Sequence, residues 1–93
     1  MNKSEHLLII LIEECNELAQ DAAKALRFGV FEQRDLPTSN HDRMQKEFND
    51  VLAVVEMLNE SGLLLIQDRG LIQLKKQKVI KYMGYSKECG TLD

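Results

Sequence analysis

Along most of this chain apolar residues return every three or four positions, the period of a helix with one buried face. In the first such segment Leu7, Leu8, Leu11, Leu18, Ala22 and Leu26 share a face. Ser4 is a plausible N-cap for it and Gly29 its stop, so a helix is expected to run to about Phe28. Ala19, Ala23 and Ala25 would let a neighbour approach closely. Val30 to Asn40, with Pro37 inside it, reads as a loop. A second amphipathic helix starts at Ser39 or Asn40, carries Asp42 in its first turn and ends near Ser61, before Gly62. Leu63-Leu64-Leu65-Ile66 has no polar alternation and suits a short helix or a buried connector equally. A last helix is expected from Leu71 to about Tyr85, followed by an irregular tail over 86–93. The pattern predicts a single all-α domain over residues 1–93.

Acids interrupt the pattern in two places. With Glu47 set at zero and about 100° of turn per residue, Met44, Phe48, Val51, Val54, Val55 and Leu58 all fall within roughly 100° of it. Glu47 therefore points into the middle of its own helix's apolar stripe, and Asp50 lies on the flank. On the first helix Glu14 lies between the directions of Ile10 and Leu7, with Glu13 and Glu17 beside it. An isolated carboxylate in a dry interior is strongly disfavoured and must protonate or find a partner. Acids three residues apart share a helix face, so Glu14/Glu17 and Glu47/Asp50 on facing helices would gather four carboxylates. Hard oxygen ligands of this kind suit Mg²⁺ or Mn²⁺. Either motif alone is commonly a solvated face, and Glu47 could instead pair with Lys24 or Arg27. The two motifs together favour the metal.

Composition narrows the classes. At 93 residues, 44% apolar and 29% charged, the chain is an ordinary but small globular domain, for which oligomerisation is a natural way to complete a core. A formal charge of −3 supplies no field for nucleic acid. The uninterrupted apolar run Leu7 to Ile12 is too short for a membrane span or a signal core. The expectation is a reducing cytoplasm with no membrane partner, in which Cys15 and Cys89 stay unbridged.

The basic residues concentrate late, at Lys75, Lys76, Lys78 and Lys81. A lysine run is usually a solvated face, but beside an acidic metal cluster it would suit a polyphosphate. Lys24, two turns from Glu17, has the same two readings. Arg27 suits the end of its helix dipole. Phe28 and Phe31 offer flat apolar surfaces, either for a nucleobase or as a cover for the end of the bundle. His6 and His41 lie outside both acidic motifs, and the lack of a Glu-x-x-His pair argues against a di-iron carboxylate bundle. No Gly-x-x-x-x-Gly-Lys loop and no Ser/His/Asp or Cys/His set points to another phosphate cradle or to a covalent route.

Glu14-x-x-Glu17 followed by Glu47-x-x-Asp50 resembles the signature of the all-α nucleoside triphosphate pyrophosphohydrolases. These include MazG-like enzymes, dimeric dUTPases, dCTP pyrophosphatases and phosphoribosyl-ATP pyrophosphohydrolase. The extra Glu13, the stretch Lys24 to Gly29 and the run Asp50 to Val55 look like the short MazG-like proteins often carried by phages. The resemblance covers roughly residues 5 to 85, and the gap between the two motifs is long for the family. It implies Mg²⁺ on Glu14, Glu17, Glu47 and Asp50, with Glu13 as a further acid, and Glu13 or Glu17 orienting the attacking water. It implies hydrolysis of a (d)NTP between the α and β phosphates, to a monophosphate and pyrophosphate. It also implies a four-helix core shared between subunits in a homodimer or homotetramer. Phosphate contacts would come from Lys75, Lys78 or Lys81, with Lys78 favoured. A scaffold that has lost catalysis and only binds a nucleotide or protein is the alternative, and a plain structural dimer the third.

Overall fold

The computed structural model describes residues 1–93 as three helices and no strands. Helix α1 runs Lys3–Phe28, α2 Asn40–Glu60 and α3 Arg69–Glu88. None of them is long and apolar enough to cross a membrane.

Each helix starts where a side chain can take up an orphan N–H. For α1 that residue is Asn2 rather than Ser4: its Oδ1 accepts from Glu5 N at 2.8 Å. Ser4 lies inside the helix, and its hydroxyl meets that of Ser61 at 2.9 Å, tying the start of α1 to the end of α2. For α2, Ser39 and Asp42 form a reciprocal capping box, with Asp42 N to Ser39 Oγ at 3.1 Å and Ser39 N to Asp42 Oδ2 at 3.0 Å. That same pair holds the Asp42 carboxyl below its ordinary pKa, the Ser39 backbone N–H contributing most. α2 ends in a Schellman turn. Gly62, at φ 97°, donates to Asn59 O, and Leu63 N–H reaches back to Leu58 O at 3.0 Å.

The core lies between α1 and α2, which run antiparallel. Leu7, Val54 and Leu58 form its centre, with Leu8, Ile10, Leu11 and Leu63 packed around them. Ala25 is buried further along, where its small side chain lets the helices come close. The expected α1 stripe is only half right. Leu26 is 89% exposed and Ala22 is exposed, because α2 covers the face centred on Leu7 and Ala25 and leaves the far flank open.

Beyond Gly62 the chain departs from expectation. Leu63 to Ile66 forms neither a helix nor a buried connector: it is an irregular segment in which Leu64, Leu65 and Ile66 are exposed. Asn59 holds it, accepting from Leu65 N at 2.6 Å and donating to Leu65 O at 3.2 Å. Asp68 then caps α3 through Leu71 N at 3.1 Å, so this helix starts two residues earlier than expected. It also runs to Glu88, and the irregular tail shrinks to the last five residues. No Cα of α3 comes within 8 Å of α1 or α2. The radius of gyration is accordingly 16.8 Å, against about 12 Å for a compact domain of this length.

Candidate metal centre

The acids of both helices meet where the α1 and α2 stripes face each other. Glu14, Glu47 and Asp50 each place a carboxylate oxygen within 4.8 Å of the others, enough for one small cation to touch all three. The helical pitch explains the trio. Glu47 and Asp50 are one turn apart on α2, and Glu14 faces them from α1, at the rim of the stripe that also carries Ile10 and Leu7.

Glu47 is 8% exposed. Its Oε2 and that of Glu14 are both shut off from solvent, and neither has a hydrogen-bond partner. Buried carboxylate oxygens without a donor are costly, and two of them facing one another more so. The Glu14 carboxyl is pushed up from 4.5 to about 7. The main cause is Glu47, to which a protonated Glu14 can donate; partial burial and the charges of Glu17, Glu47 and Asp50 add to it. With both groups ionised that bond has no proton, and the two oxygens are left as orphans. A divalent cation would satisfy both at once, so the donor set fits one.

The remaining acids stand outside the trio. Glu13 and Glu17 are exposed, and Glu17 reaches Glu14 through its charge. Neither Lys24 nor Arg27 pairs with Glu47. The cation beside the site is Lys46, whose Nζ lies 2.8 Å from Asp50 Oδ2 and 3.5 Å from Glu47 Oε1. Its pKa is raised, chiefly by the Asp50 hydrogen bond. Lys46 was legible in the sequence as an i,i+4 partner of Asp50, but it sits among residues that read as a solvated face.

Toward the loop end of the same helix pair lies a cavity of about 470 Å³ lined by Lys24, Phe28, Arg34 and Arg43 among others. Asn40, 2% exposed, organises it. Its Nδ2 donates to Gly29 O at 2.8 Å and to Glu32 Oε2 at 3.2 Å, and its Oδ1 accepts from Arg43. Arg43 also donates to Thr38 O at 2.7 Å, which fastens the loop to α2. Phe28 is half exposed, with the Arg27 guanidinium 4.7 Å from its ring. Phe31 packs instead beside His41, ring centres 5.5 Å apart. Lys24 and Phe28 thus line one cavity, further along the helix pair than the acids. Asn40 and Arg43 were missed because a polar residue at a helix start reads first as a cap.

Lys75, Lys78 and Lys81 are all exposed on α3 and do not approach the acids of their own chain. Lys81 lies 5.9 Å from the Tyr82 ring. Comparison with protein-family models, with curated proteins and with solved structures gives no match to this chain.

Proposed function

We propose that the chain is a Mg²⁺-dependent nucleoside triphosphate pyrophosphohydrolase, cleaving (d)NTP to (d)NMP and pyrophosphate. The observation that carries this reading is the pair of solvent-excluded, unpartnered oxygens on Glu14 and Glu47, within 4.8 Å of Asp50. Glu14, Glu47 and Asp50 would hold the cation, with Glu17 beside them. A Mg²⁺ ion held by these carboxylates would supply positive charge for phosphate oxygens and a more acidic water, which is most of what phosphoryl transfer needs. The chain's own residues do the rest. Glu13 or Glu17, exposed on the same helix, orients a water or takes its proton. Lys24 and Arg43 supply positive charge at the adjoining cavity, where Phe28 offers a flat surface for the base.

One observation favours a second reading. Lys46 pairs with Asp50 and Glu47, as it would in a purely structural cluster on a non-catalytic binding module. Pyrophosphate release from a panel of NTPs and dNTPs, with and without Mg²⁺, separates the two. Metal-dependent release is expected, falling by about 100-fold in Glu47→Gln and in Asp50→Asn, the scale of losing one group that offsets transition-state charge. A folded protein silent on the whole panel selects the binding module. Activity that survives both substitutions overturns the site.

A further inference from the structure

Lys46 is the cation that meets the acid trio, and its placement follows from the helix. It stands one residue before Glu47 and four before Asp50 on α2. Four residues turn a helix through about 400°, so Lys46 and Asp50 lie in one row, with the buried Glu47 on the core side of it. The Lys46 ammonium spans both acids, with Nζ 2.8 Å from Asp50 Oδ2 and 3.5 Å from Glu47 Oε1. A side chain that is 70% exposed gains little stability from such a pairing. What the ammonium does instead is fill a place among the carboxylates.

The oxygens of the trio divide into two sets. On the inner side, Glu14 Oε2 and Glu47 Oε2 are shut off from solvent and have no partner. On the outer side, Glu47 Oε1 and Asp50 Oδ2 carry the ammonium. Glu47 belongs to both sets, with one oxygen in each. A carboxylate shared in this way is the bridge of a two-cation site, whose centres lie about 4 Å apart. The inner place is the one that the proposed function gives to a divalent ion, and the outer place already holds a cation of the chain's own. An ammonium on the outer oxygens and a divalent ion on the inner ones do not compete for the same atoms. The charges agree: three carboxylates and one ammonium leave a formal −2, which a single divalent ion cancels.

We infer that Lys46 stands in for a second divalent ion at the outer edge of the carboxylate site, so that the site takes one such ion per chain and would take two without this lysine. The inference rests on the metal site proposed above and goes beyond it, naming the number of ions and the residue that limits it.

The test uses Mn²⁺, a hard ion with the same taste for carboxylate oxygen and an electron paramagnetic resonance signal. It is titrated into the full-length, metal-free protein with no nucleotide present, so the readout does not depend on activity. The wild type is expected to bind one Mn²⁺ per chain, with the spectrum of an isolated ion. Lys46→Met keeps the length of the stem and removes the charge at an exposed position, and circular dichroism checks its fold. It is expected to bind two ions per chain, with the spin coupling of ions that share a carboxylate. Lys46→Arg, which keeps a cation there, is expected to stay at one. A wild type that binds none overturns the metal site and this inference together. A wild type at one with a folded Lys46→Met also at one leaves the metal site standing and overturns this inference alone. So does a wild type or a Lys46→Arg chain that takes two.

Discussion

At the scale of single residues, the acid cluster has two consequences in the absence of metal. Glu47 is a buried carboxyl with an orphaned oxygen, and its one ion pair, to Lys46, has a partner whose side chain is 70% exposed. Replacing that carboxylate by an amide removes repulsion and loses only a screened pair. Glu47→Gln should therefore raise the melting temperature in EDTA by about 4 °C, the shift that 1 kcal/mol makes in a domain this small. If the site holds Mg²⁺ as proposed, the substitution should also abolish the further rise that the ion would give the wild type by mass action. A lower melting temperature in EDTA would instead mark Glu47 as a partner in a structural ion pair.

Glu14 sets the pH dependence. Its carboxyl sits at about 7 in the folded chain against 4.5 in the unfolded one, so between these values the folded state keeps a proton that the unfolded chain has released. The stabilisation this gives is complete below 4.5 and is lost as the pH rises through about 7. Thermal melts in EDTA should show the wild type losing stability across that window relative to Glu14→Gln, in which the trend is absent. Mg²⁺ at the proposed site would compete with the same proton, so its affinity should fall as the pH drops below about 7. Isothermal titration on both sides of neutrality measures it.

Among the elements, the caps decide where each helix begins. Ser39 and Asp42 close the start of α2 and also border the Asn40 hub that fastens the loop. Ser39→Ala should cost about 1 kcal/mol, the usual loss for an N-cap, read as a lower urea midpoint with an unchanged slope. Asp42 contributes with the opposite sign to Glu14. Its carboxyl is lowered, so its share of stability is present above 3.8 and disappears as the pH falls through the folded value. The ends of α1 and α2 were legible because Gly29 and Gly62 stop them in the sequence and in the structure alike. The start of α1 was not, since Asn2 and Ser4 both cap well and only the backbone path picks between them. Leu63 to Ile66 was misread because an apolar run carries no period. What holds it is a side chain six residues before Leu65, that of Asn59.

For the whole molecule, α3 is the deciding feature. A helix that leaves the α1–α2 pair and buries none of its side chains gains nothing from their core. If a core shared between copies forms, as the family resemblance implies, the melting temperature should climb with protein concentration, as for any assembly whose chains stabilise one another. A value unchanged over a wide dilution series would mean that α3 is stable without a partner.

The sequence by itself determined the helices, their approximate lengths, and that Glu47 and Asp50 share one face of α2 as Glu14 and Glu17 share one of α1. All of these follow from periodicity and from caps within a few residues of each other. It also marked Glu47 as a buried acid, because the stripe around it is local. Only the tertiary structure decided which flank of α1 is covered, leaving Leu26 in solvent and Ala25 inside. It alone left Glu17 outside the trio, put Lys46 beside Asp50 and parted α3 from the acids of its own chain. The physical reason is that a helix's period says which residues share a face, whereas the partner for that face depends on contacts between segments far apart in the chain.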